Sequence, residues 1–196
     1  ENHQDEYIYF RTENSWTMRG AFYGAQAIFG ELGYDKENLN AYREYVFGNF
    51  KGNLLLEALG KYTTDETKKG IENMEEEPFY IYINGSNPNR EELTFENKEG
   101  QLQTVKRQTI QFNGSGNYAV IGSSYKHSIV EGRGKGQEKG NLLLIADARG
   151  KMMISYLSEI FDKVYVSNIS KDADLIQNLD EILEKYNIEY IIWAQD

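Results

Sequence analysis

Cysteine is absent from this 196-residue chain, which excludes disulfide staples, thiol nucleophiles and cysteine zinc sites. Histidine is almost as scarce: only His3 and His127 are present. That leaves few candidates for a histidine metal site or a histidine base, and no metal or cofactor is expected. No apolar run approaches the roughly 18 residues of a membrane span. The opening Glu1-Asn2-His3-Gln4-Asp5-Glu6 lacks signal-peptide character. Basic residues are outnumbered, 21 Lys and Arg against 31 Asp and Glu, for a net charge of −10. Binding that tracks phosphates needs clustered cations, so no nucleic-acid partner is expected.

What is present reads as globular. Hydrophobic residues make up 40% and charged residues 27% of the chain, and proline occurs only twice. A chain of this length buries roughly 70% of its unfolded surface and needs no staples. At ~150 residues per domain, residues 1–196 are expected to form a single domain. The 15 tyrosines favour strands and β-rich packing.

Residues 7–10 (Tyr-Ile-Tyr-Phe) predict a short strand. Thr17 then suits the N-cap of a helix reaching residue 32, with Met18, Ala21, Phe22, Ala25, Ile28, Phe29 and Leu32 on one face. Gly20 and Gly24 interrupt that face, which predicts a close backbone approach, and Gly33 suits the residue after the helix end. A second helix is expected over 36–47, and a solvated acidic stretch over 61–77. Residues 79–130 form a β-rich segment with strands over 79–83, 93–96, 104–112, 118–121 and 128–130. Asn84-Gly85, Asn113-Gly114 and Gly116-Asn117 supply its turns.

The last third changes pattern. The apolar run over 141–145 has the look of a strand buried on both faces. A helix over 150–161, a strand over 164–166, a helix over 174–186 and a strand over 188–193 follow. This β-α-β-α-β order predicts a parallel sheet, whose sites form beyond the carboxyl ends of its strands.

The first such end is Ile145-Ala146-Asp147-Ala148-Arg149-Gly150. Alanine at its tip carries no nucleophile, and Asp147 suits a cap for the next helix. The glycine-rich 132–136 precedes a strand rather than opening a helix, so it reads as a connector and not as a phosphate loop. His127 reads as a hydrogen-bonded histidine, and Asp172-Ala173-Asp174 lacks the remaining ligands of a calcium loop.

Two blocks carry a family resemblance. Residues 9–21, Tyr-Phe-Arg-Thr-Glu-Asn-Ser-Trp-Thr-Met-Arg-Gly-Ala, resemble the signature of the DHHW family, Lys/Arg-Thr-Asp-His-His-Trp-Thr followed by Gly-Ala. Residues 142–149, Leu-Leu-Leu-Ile-Ala-Asp-Ala-Arg, resemble its later block, an apolar strand ending in Asp-Ser-Tyr. Residues 49–52 and 121–125 resemble two weaker blocks. The part of the family before Tyr7 has no counterpart.

The resemblance implies an SGNH-hydrolase-like (flavodoxin-like) three-layer α/β fold, similar to alginate O-acetylation proteins. It also implies a Ser–His–Asp triad handling acetyl esters on extracellular or cell-surface polysaccharide. Here Glu13 stands for the family Asp, Asn14 and Ser15 for the two His, and Ala148 for the nucleophilic Ser. Acyl transfer needs a nucleophile and a base within hydrogen-bond reach, and Ala148 with Ser15 removes both. Three simultaneous changes favour natural decay or reassignment over a single engineered Ala.

The leading expectation is a non-catalytic domain that binds glycan through Trp16, Tyr125, Asp147 and Arg149. One alternative is an active carbohydrate esterase or O-acetyltransferase rebuilt on Glu13 and Ser15. Another is a structural or interaction module whose acidic surface meets a basic partner.

Overall fold

The computed structural model describes residues 3, 5–34, 38–61, 64–84, 90–97, 99, 101–108, 110–112, 118–120, 126–132, 139–147 and 149–194. The expected turns at 85 and 113–117, the connector at 133–136, Tyr125 and Ala148 fall outside them.

Helix α1 (Met18–Glu31) starts at Thr17, whose side chain accepts a hydrogen bond from the Gly20 amide. It ends before Gly33, which adopts φ +74°. Gly20 and Gly24 mark the expected close approaches. A Cβ on Gly20 would lie 2.3 Å from the Ile8 carbonyl oxygen, and one on Gly24 would lie 2.7 Å from the Trp16 ring.

The helix expected over 36–47 does not form. A 3-10 turn (Leu39–Ala41) leads into strand β1 (Tyr42–Phe50), which pairs antiparallel with β2 (Glu77–Asn84). The segment is rich in Tyr, Phe and Val, and a partner strand satisfies its backbone along the whole length. The helical spacing of Leu39, Tyr42 and Val46 predicts all three on a buried face, but only Tyr42 is buried and Val46 is exposed. The strand expected over 7–10 is reduced to a single bridge between Tyr9 and Trp16.

Short helices α2 (Asn53–Lys61) and α3 (Asp65–Glu72) connect the two strands of this ribbon. Strands β3 (Arg90–Glu96), β4 (Leu102–Gln108), β5 (Ile110–Phe112), β6 (Tyr118–Val120) and β7 (His127–Glu131) follow. The single strand expected over 104–112 is thus two. The C-terminal third supplies β8 (Asn141–Ala146), a 3-10 turn (Gly150–Met153), α4 (Ile154–Ile160), β9 (Lys163–Asn168), α5 (Leu179–Lys185) and β10 (Ile188–Ala194). Helix α5 is shorter than expected, because residues 173–178 form turns.

The main sheet has the order β10-β8-β9-β7-β3-β4. The strands β10, β8 and β9 are parallel, as predicted, while β7, β3 and β4 extend the sheet antiparallel. The parallel part is therefore three strands of a mixed sheet. Much of the β-rich middle segment is an extension of that sheet.

Alternation along β8 and β9 sorts the core onto two faces. Leu142, Leu144, Val164 and Val166 join α1 and α4 in one cluster, while Leu143, Ile145 and Tyr165 pack with Leu175 and the apolar face of α5 in another. Both faces of β8 and β9 are thus covered, which explains the uninterrupted apolar run.

The glycine geometry predicts opposite signs for one substitution. Gly20→Ala should lower stability by about 1–3 kcal/mol, because its methyl meets fixed backbone. Gly70→Ala in exposed α3, where the methyl meets open space, should raise it by about 0.5–1 kcal/mol. Urea midpoints of the two variants check this.

Candidate functional site

The loop over residues 11–17 returns on itself. The Phe10 amide donates to the Ser15 carbonyl at 3.1 Å and the Thr17 amide to the Ile8 carbonyl at 2.9 Å. Its anchor is Glu77, 3% exposed. The amides of Arg11 and Thr12 each donate to this carboxylate at 2.8 Å. The hydroxyls of Tyr7 and Thr12 donate to it as well. Thr12 Oγ1 in turn accepts from the Gly52 amide at 2.8 Å. Residues 49–52 are thereby tied to the loop, and a Cβ on Gly52 would lie 2.2 Å from the Thr12 carbonyl oxygen.

Burial alone would raise the pKa of Glu77. Hydrogen bonds from the Thr12 and Tyr7 hydroxyls and from the two amides outweigh burial and hold it below the usual glutamate value. Burial, joined by the same contact, pushes the Tyr7 phenol up. Glu77 was expected to lie in a solvated acidic stretch. Glu75 and Glu76 are indeed exposed, but β2 begins at Glu77, so residues 77 and 79 share its inward face. Period-two alternation with Phe79 is the signal that could have identified it.

Within the loop, Glu13 is half-buried and accepts from the Asn14 amide at 3.0 Å. Ser15 is buried and its hydroxyl donates to the Trp16 carbonyl at 3.2 Å. Trp16 packs its ring against Gly24.

The turn after β8 approaches this loop. Arg149 Nε donates to the Asn14 carbonyl at 2.6 Å, joining segments 135 residues apart. Asp147 Oδ1 accepts from the amides of Arg149 and Gly150 at 2.9 and 3.0 Å. The aspartate therefore caps the turn, as its position suggested.

Lys151, in the same turn, has a side chain that sequence reasoning passed over. It is 1% exposed. Burial and the nearby charge of Lys171 lower its pKa to about 8, and Asp147 opposes them only in part. Flanking Met152 and Met153 give the sequence no hint of a buried cation.

His127 lies at the same end of the sheet, because β7 runs antiparallel to β9 and begins where β9 ends. Its Nε2 pairs with the Asp172 carboxylate, which also accepts from Ser167 Oγ at 3.0 Å and meets the Lys126 ammonium at 3.1 Å. Burial would raise the Asp172 pKa, but these partners, His127 first, lower it. Among the described residues, no cluster of three His, Asp or Glu could hold a metal ion, and no helix is long and apolar enough to cross a membrane.

Removing the anchor should be costly. Glu77→Gln should destabilise the protein by about 3 kcal/mol, since it weakens a buried, fully bonded carboxylate. Because the folded pKa of Glu77 is lowered, its stabilisation is present above the unfolded value and lost as pH falls through the folded one. The wild type should therefore lose more stability than Glu77→Gln on acidification below the ordinary carboxylate range, as read by urea midpoints.

Lys151→Met should stabilise by about 1–4 kcal/mol at pH 7, because an apolar chain replaces a poorly compensated buried cation. The lowered lysine pKa means that wild-type stability should rise between pH 8 and 10, while the unfolded chain still holds the proton. Thermal melts across that range should show no such rise in the variant.

The comparisons with known proteins agree with this architecture. A DHHW family protein from Eubacterium siraeum superposes with a TM-score of 0.72 at 18% identity, covering 98% of this chain and 60% of that one. Bacillus cereus PatB1 superposes with a TM-score of 0.64 in two structures. The one with a sulfonyl adduct is 15% identical and the other 16%; both cover 100% of this chain, and 62% and 64% of PatB1. This chain thus spans about three fifths of the length of these neighbours. No curated protein matches it. The DHHW protein family model matches residues 1–167, and the chain belongs to the DHHW family.

Proposed function

We propose that this chain is an SGNH-like domain related to extracellular polysaccharide O-acetyltransferases and esterases, that it has lost acyl transfer through the family triad, and that it keeps a glycan-binding cleft. The observation that carries the reading is the Arg149–Asn14 hydrogen bond, which joins the loop bearing Glu13 and Ser15 to the turn bearing Asp147 and Arg149. The family's acid–base residues and nucleophile correspond to those same two segments. In this sequence they are Glu13, Ser15 and Ala148.

The chemistry follows from the side chains. Alanine cannot form an acyl intermediate, and a serine hydroxyl is no proton acceptor near neutral pH. The Ser15 hydroxyl is also buried and donates to a backbone carbonyl, which opposes a role as nucleophile. What remains at the junction suits recognition through the Arg149 guanidinium, and Tyr9, bridged to Trp16 and 63% accessible, adds an exposed ring next to the loop. Trp16 acts more as a wedge against α1 than as an open platform. Tyr125 and Asp147 complete the proposed set, and a cell-surface location goes with the polysaccharide.

Sulfonyl reagents bond to activated hydroxyls, so a sulfonyl fluoride separates this reading from the rebuilt Glu13/Ser15 enzyme. Intact mass should show no adduct, and acetyl-ester turnover should not exceed the buffer rate. An adduct on Ser15, with turnover lost in Ser15→Ala, would establish the enzyme instead. Arg149→Ala should weaken glycan binding about 10-fold in calorimetry, as for a central polar contact.

A further inference from the structure

Two cavities meet at Arg19 on the α1 side of the molecule. The larger, about 820 Å³, is lined by Glu6, Tyr23, Ala27, Asn38 and Asn40 among others. The smaller, about 220 Å³, is lined by Tyr7, Thr17, Glu44, Tyr80 and Tyr82. Arg19 lines both, and the two hollows that flank it are together called the trench. Thr17 directly follows Trp16, which places one end of the trench beside the loop of the candidate site. The larger volume falls in the ~300–1,000 Å³ range of ligand sites.

The trench is cross-braced. Arg19 donates through Nε to the Tyr82 hydroxyl at 3.1 Å, and through Nη1 and Nη2 to Glu6 and Glu44 at 3.3 Å each. The hydroxyls of Tyr23 and Tyr82 donate to Glu6 and Glu44 at 2.7 Å each. His3 stacks on Tyr23 with ring centroids 3.7 Å apart and also bonds Glu6. Hydrogen bonds from His3 and Tyr23 lower the Glu6 pKa, so the carboxylate stays charged. Rings fixed in this way need little ordering when a ligand arrives.

The lining combines the partly exposed rings of Tyr7 and Tyr80 with planar polar groups. The first suit the C–H face of a pyranose, and the second suit its hydroxyls. Two carboxylates face one guanidinium, in a chain whose net charge is already −10. A uronic-acid chain would meet repulsion here, whereas a neutral sugar would not and an ammonium would be attracted.

We infer that this trench is a glycan subsite selective for neutral or amino sugars over uronic acids. It deepens the proposed glycan-binding role and rests on it. Ala27 is an exposed helical residue lining the larger cavity, so Ala27→Met fills space without removing a hydrogen bond. Tyr80→Ala opens the smaller one, and Asn40→Ala, at an exposed position, substitutes for it if that variant melts early.

Calorimetry with cellohexaose, a chitosan hexamer and an oligoguluronate tests the inference on the whole chain. The expected result is binding of cellohexaose or the chitosan hexamer but not of the guluronate, weakened at least ~5-fold by Ala27→Met and by Tyr80→Ala at unchanged melting temperature. If Arg149→Ala weakens binding and the trench variants do not, the trench is refuted while the cleft reading survives. Guluronate binding as tight as the others overturns the selectivity. Absence of binding to all three overturns both readings.

Discussion

The buried carboxylate of Glu77 is the constraint on which this structure turns. A charge taken out of water survives only where donors replace its hydration, and here two amides and two hydroxyls do so. Those donors come from residues 7–12, so satisfying one side chain of β2 fixes the course of the chain that leads into α1. Thr12 relays the restraint to residues 49–52. Fixing that loop in turn places the Asn14 carbonyl where Arg149 can reach it.

The sheet meets this restraint from the other side. Three parallel strands, of which β8 and β9 are buried on both faces, end together, and the turn after β8 is held by the Asp147 carboxylate. Loop and turn thus belong to two separately stabilised parts, which the Arg149–Asn14 hydrogen bond joins. Lys151 is the cost that remains there. A cation is buried beside the turn with only partial compensation, the kind of local strain in polarity that stable cores otherwise avoid. The Arg19 trench shows the opposite arrangement, in which every charge is matched by close partners and the aromatic rings are held in place.

Much of the fold could be read directly. The 3–4 spacing from Met18 to Leu32, capped by Thr17 and ended before Gly33, produced α1 as expected. Gly20 and Gly24 pointed to close contacts, which Ile8 and Trp16 supply. The apolar run at 141–145 and the order of the last third predicted the parallel strands β8, β9 and β10. Residues 36–47 misled because Leu39, Tyr42 and Val46 satisfy a helical spacing by chance, while pairing with β2, from Tyr42–Asn84 to Phe50–Glu77, decides the matter through contacts distant in sequence. The candidate site was legible only as two blocks. The Glu77 anchor shows locally only as alternation with Phe79, and the Asp172 network under His127 has no local pattern that sets it apart from an acidic surface.

By itself, then, the amino-acid sequence determined α1 with its cap and close approaches, the two-faced burial of β8, the parallel order of the last third, and the side chains Glu13, Ser15 and Ala148 in the two blocks. These are properties of residue type and short-range periodicity, which the chain carries wherever it folds. Tertiary structure alone decided which carboxylates are buried, that the loop and the turn touch, and that two cavities share Arg19 as a wall. Each depends on groups distant in sequence coming within hydrogen-bond range, and only the packed sheet and α1 bring them there.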